Sequence, residues 1–327
     1  LHSFPTRRSS DLESYSINLS RFFLGYGDRL VKNKRMGPII ISGVCIQIAV
    51  SLLSGCGRRD KTVSELVSET SIFSWEEEYL RPELEAEVEK AMEKLGCIAI
   101  YQQISSDTKE TVVLDYLRRR QEKKQLVYYL AGAAEWGVEE DGKSMLDVVD
   151  TAAEWNAKAG EEGGFTGIVL DVEPYLLEEW EADQERCMKQ YVTNCVRTYE
   201  RAKEENLAVI VCIPNFYDRI GLSGFLEELI QNGCDGIAVM NYNKKDEAGQ
   251  IEEELKLAQE YNKGIVNITE MQMQGYHGLT DENTYHDDGI EAVFDSWEKL
   301  KEQYPYRNLG FSWHYLKPCL ELMETES

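Results

Sequence analysis

Two carboxylates, Asp171 and Glu173, stand two residues apart at the end of an apolar run in GIVLDVEPY, Gly167 to Tyr175. On an extended chain, side chains two apart point to the same side. Held that close, the pair cannot ionise freely, and one carboxyl is expected to keep its proton toward neutrality. Such an acid can hand a proton to a leaving oxygen. A third carboxylate, Glu270, closes a similar run, GIVNITE. Rings and amides gather at the ends of other runs: Trp75, Tyr175, Asn215, Tyr242, Asn243 and Trp313, with Tyr101 inside CIAIYQQI. Rings beside hydrogen-bonding groups suit sugars, whose faces present C–H and whose rims present hydroxyls.

Positioning these residues requires a regular scaffold, and one rhythm supplies it. Eight runs rich in Val, Ile, Phe and Tyr occupy 71–75, 97–104, 125–132, 167–175, 207–217, 236–243, 264–270 and 309–316. They show little polar alternation, as strands buried on both faces do. Between them lie segments of helical period. In RCMKQYVTNCVRTYERA, Met188, Tyr191, Val192, Cys195, Val196 and Tyr199 fall on one stripe. EVEKAMEKLG and EELKLAQEYNKG read as helices ended by Gly96 and Gly264. Parallel strands need such crossovers. The expected class is therefore α/β, with a single (β/α)8 TIM barrel over residues 71–320. A doubly wound open sheet is the competing arrangement, and the count of eight favours the barrel. In a barrel, the C-terminal strand ends build one shared site. No glycine-rich phosphate loop is present, nor a CxxC or a Cys/His cluster with zinc spacing, so neither cofactor nor metal is expected.

The formal charge of −24 would repel a phosphate backbone, which argues against nucleic acid as a partner. Residues 1–12 resemble the translation of a sequencing adapter, and 1–30 read as upstream sequence, with translation starting near Leu30 or Val31. Residues 31–55 carry a basic start, Lys32, Lys34 and Arg35, then an apolar stretch from Pro38 to Leu53 that is short for a membrane span. They end in LSGC at Cys56, which resembles the bacterial lipobox. That resemblance implies a diacylglyceryl group on Cys56, a tether over 56–70, and a protein anchored on the extracellular face of the cytoplasmic membrane. Of the other cysteines outside the signal segment, Cys97, Cys212 and Cys234 sit in or beside apolar runs and read as core.

At the strand ends a further resemblance appears. GIVLDVEPY, VMNYN and GFSWHY look like strands four, six and eight of the family 18 glycoside hydrolases. The resemblance implies Glu173 as general acid, Asp171 as its partner, Tyr242 as a hydrogen bonder near the reacting sugar, and Trp313 as the floor of the subsite. Three positions depart from that pattern: Thr166 and Val169 stand where the family has aspartates on strand four, and Asn243 replaces its strand-six aspartate. The Glu173 and Glu270 pair also resembles the large clan of retaining barrel glycosidases, which implies Glu270 as nucleophile. Val172 stands there in place of the clan's asparagine. In retaining enzymes the two carboxyls lie about 5–5.5 Å apart, and in inverting ones about 6.5–9.5 Å. Both resemblances imply a glycoside hydrolase acting on a poly- or oligosaccharide, and the lipobox resemblance implies that it is anchored to the membrane. The alternative is a carbohydrate-binding pseudoenzyme of the cell envelope. Cys56→Ala should leave the chain unprocessed or release it from membranes, checked by fractionation and labelling with a lipid precursor. Wild-type protein that takes up no lipid and fractionates as soluble would refute the anchor.

Overall fold

The computed structural model describes residue 67 and residues 70–325. The expected signal segment, Cys56 and almost all of the tether lie outside the described residues. Eight parallel strands close into a barrel in chain order. They are β1 Thr70–Ser74, β2 Ala99–Gln103, β3 Leu126–Ala131, β4 Gly167–Leu170, β5 Ala208–Pro214, β6 Gly236–Met240, β7 Gly264–Glu270 and β8 Leu309–His314. The helices that follow them in turn are α1 Glu85–Lys94, α2 Glu110–Glu122, α3 Lys143–Ala159, α4 Gln184–Glu204, α5 Ser223–Asn232, α6 Glu252–Glu260, α7 Ile290–Gln303 and α8 Leu316–Thr325. β8 pairs back onto β1, with Thr70 opposite Phe311 and Ile72 opposite Trp313, so the sheet has no free edge.

The sequence composition explains the layers. In β5 every residue is buried: Ile210 and Cys212 face the barrel interior, while Val209, Val211 and Ile213 face the helices. On α4, Met188, Tyr191, Val192 and Cys195 form the buried face, and Asp183 caps the start by accepting from the Arg186 N–H at 3.0 Å. The six cysteines among the described residues are free and buried. Among those residues no helix is long and apolar enough to cross a membrane.

Two boundaries differ from the sequence reading. β4 ends at Leu170, not Glu173. Asp171 still donates its N–H to the Ala131 carbonyl at 3.0 Å. Pro174 has no N–H to continue the ladder and opens a short 3₁₀ turn. Gly264 does not end a helix. α6 stops at Glu260, and Asn262 takes the left-handed turn with φ +52°. Gly264 instead opens β7.

The barrel is filled rather than hollow. Phe73, Tyr101 and Tyr128 meet edge-to-face across β1, β2 and β3, with ring centroids 5.0 and 5.3 Å apart. At the opposite end from the strand C-termini, Val67 is 1% exposed and plugs the floor. It lies against the first residues of β6 and β7: a Cβ on Gly264 would overlap its side chain, and one on Gly236 would sit 2.8 Å from its Cγ1. Gly264→Ala should therefore cost about 1–3 kcal/mol by overpacking. The loss should shrink in a Val67→Ala background when both are measured by urea unfolding. Equal losses in the two backgrounds would show that Val67 is not what the glycine accommodates.

Candidate active site

Inward parity carries three carboxylates to one end of the barrel. Asp171 is buried and Glu173 half-buried, just past the end of β4. Gly132, following β3, makes this approach possible, because a Cβ there would overlap the Asp171 carbonyl. Glu270, the last residue of β7, is 3% exposed. Tyr242, just past β6, feels all three. Burial pushes its phenol well above the ordinary value, and Glu270, Asp171 and Glu173 push it further. Tyr175 is raised in the same way, by burial and then by Glu173, with Asp171 adding to it. Tyr217 is raised by burial and by Glu173, and the Cys212 thiol by burial, Asp171 and Glu173. These phenols stay neutral across the working pH range.

Glu270 is engaged through both of its oxygens. Its Oε1 accepts the backbone N–H groups of Met271, at 2.9 Å, and Gln272, at 2.7 Å. Its Oε2 accepts from the Gln272 side chain at 3.2 Å and lies 2.7 Å from Nδ1 of His314. The β7–β8 register sets this up, since Glu270 and His314 are direct partners in the ladder. On its other side, Nε2 of His314 receives the Trp75 indole N–H at 3.4 Å. The imidazole packs against Phe73 and Tyr242, with centroids 5.6 and 5.9 Å away. Burial lowers its pKa, but the charge and hydrogen bond of Glu270, aided by Asp171 and Glu173, outweigh burial and raise it.

The residues expected to bind at this mouth divide into two groups. Trp75, Tyr175 and Tyr242 lie with the carboxylates. Trp313 does not: it is fully buried on the outer face of β8, in the shell beneath the helices. Trp297 of α7 packs 4.7 Å from it, and the Trp313 indole donates to the Leu95 carbonyl behind α1 at 3.1 Å. The physical reason is parity. Phe311 and Trp313 face outward, so Ser312 and His314 face in, and His314 takes the mouth position expected of Trp313. Tyr101 is also misplaced by the sequence reading, being buried in the barrel filling with Phe73 and Tyr128. Asn215 is bound by Arg219, whose guanidinium donates to the Asn215 Oδ1 at 3.0 Å. Asn243 accepts the Lys245 N–H at 3.2 Å in a turn. Neither is drawn into the carboxylate cluster by these bonds. Sequence reasoning leaves His314 and Tyr217 out of the candidate site, although both stand at the ends of apolar runs.

No family model matches the chain, and no curated protein matches its sequence. Among solved structures, a GH18 chitinase from Pseudoalteromonas aurantia is similar in fold, at 9% identity over 80% of this chain and 100% of its own, with a TM-score of 0.51. A putative alpha-L-fucosidase from Bacteroides thetaiotaomicron is similar at 12% identity over 83% and 96%, with a TM-score of 0.50. These two structures share with this chain the closed (β/α)8 barrel fold.

Trp313→Ala should cost about 3–5 kcal/mol of stability, as large aromatic truncations in cores do. Affinity for any sugar ligand should stay unchanged at temperatures where the variant is folded. Lost affinity with full stability would return Trp313 to the site.

Proposed function

We propose that this protein is a glycoside hydrolase whose proton donor is Glu173. The observation that carries this reading is the convergence of Asp171, Glu173 and the Tyr242 phenol at the C-terminal mouth of the barrel. Glu173 gives its proton to the glycosidic oxygen, the bond to the anomeric carbon breaks, and its electron pair stays with the leaving oxygen. Asp171 orients Glu173 and, as an anion, offsets the positive charge that develops on the sugar. Tyr242 donates a hydrogen bond beside the reacting ring. Water then adds to the anomeric carbon and returns a proton to Glu173. The similarity of fold to a chitinase makes chitooligosaccharides the first substrates to try. The lipobox reading of Cys56 would hold this activity outside the cytoplasmic membrane.

The geometry speaks against Glu270 as nucleophile. Both of its oxygens are occupied by backbone, Gln272 and His314, leaving little capacity to attack a sugar carbon. This favours a scheme built on the β4 pair over the two-carboxylate scheme of the retaining clan. The same observation supports one second reading, sugar binding without turnover, because both oxygens of the β7 carboxylate are engaged.

Glu173→Gln should lower turnover by about 10²–10⁴ while leaving sugar affinity and folding nearly unchanged. Assay on an oligosaccharide panel, with binding followed by calorimetry, separates the outcomes. Wild-type turnover in Glu173→Gln would end the assignment, and binding without hydrolysis by the wild type would establish the second reading.

A further inference from the structure

The contact between β1 and β8 at the mouth constrains the protonation of His314. An indole nitrogen can only donate, so Trp75 requires a lone pair on Nε2 of His314. The single proton of the neutral ring must then sit on Nδ1, where the Glu270 carboxylate accepts it at 2.7 Å. We propose that His314 is a positioning residue of the mouth: held by Glu270 through Nδ1–H, it fixes the Trp75 ring through Nε2 and surrenders that ring on taking a second proton. The consequence for sugar binding rests on the hydrolase reading above, whereas the contact itself does not.

Protonation puts an N–H on Nε2, opposite the N–H of Trp75. Two donors cannot face each other at 3.4 Å, so the indole must move. Trp75 remains stacked on Phe73, with centroids 6.2 Å apart, so it turns over a fixed surface rather than leaving it. The groups that decide the charge of His314 come from every side. Glu270 on β7 and Asp171 and Glu173 past β4 favour the imidazolium. The Tyr242 phenol past β6 and that of Tyr315, next in the chain, stay neutral. Glu76, which follows Trp75, adds negative charge near Tyr315. Burial alone favours the neutral ring.

The sign follows from these groups. The His314 midpoint lies above the ordinary imidazole value. Below that midpoint His314 is an imidazolium paired with Glu270, and the hydrogen bond from the Trp75 indole to Nε2 is lost. As pH rises through it, the lone pair appears and the indole is fixed at the rim. A sugar that stacks on Trp75 would therefore bind more tightly on the alkaline side.

The test is a pH titration of the full chain carrying ¹⁵N in tryptophan and histidine, with the indole signal assigned by Trp75→Phe. The Trp75 indole resonance should move with the same midpoint as the His314 ring, and the neutral ring should be the Nδ1–H tautomer. Glu270→Gln should lower that midpoint. Trp75→Phe, at a partly exposed position, should raise it, because the indole stabilises only the neutral form. A Trp75 signal that stays flat through the His314 titration, an Nε2–H tautomer at high pH, or an unchanged midpoint in Trp75→Phe would each overturn the proposal. If Glu270→Gln does not fold, the last two criteria still decide. None of these readouts requires turnover, so a catalytically dead protein with this titration would defeat the hydrolase reading and leave the positioning role intact.

Discussion

Closure of the sheet is the constraint on which everything else depends. Once β8 pairs with β1, each strand is committed to one inward and one outward set of side chains, and a one-residue slip would exchange them. The inward set fills the barrel and then, at the C-terminal end, becomes Trp75, Asp171, Glu173, Tyr242, Glu270 and His314. The outward set packs the helices. A closed ladder thus fixes in one step which residues are core and which reach the mouth.

The mouth places negative charge among buried groups, and the surroundings compensate it unevenly. Glu270 is met by backbone N–H groups, an amide and an imidazole, so that both of its buried oxygens have hydrogen-bond partners. The phenols of Tyr175, Tyr217 and Tyr242 contribute dipoles without adding charge. Asp171 and Glu173 follow β4 with the same parity, and Gly132 lets the backbone after β3 come close to the Asp171 carbonyl.

Most of the fold was legible in the sequence. Each apolar run contains one barrel strand, because strands buried on both faces must be apolar nearly throughout. That same property hid the facing. With no polar alternation, the β8 run gives no sign of which residues turn inward, and the larger ring, Trp313, drew the assignment that belongs to His314. Tyr101 misled for a related reason, since a tyrosine in a strand fits the barrel filling as readily as the rim. The shared facing of Asp171 and Glu173 was legible because residues two apart at the end of a strand keep one parity. The role of Glu270 was not, because its bonds to Gln272 and His314 depend on the β7–β8 register and on the local turn, which spacing along the chain does not encode.

Val67 gives the domain a direction. It closes the floor at the first residues of β6 and β7, whereas the carboxylates crown the far ends of the strands. The two poles of the barrel are therefore unlike: one is shut by an aliphatic side chain seated on two glycines, and the other carries the carboxylates and rings.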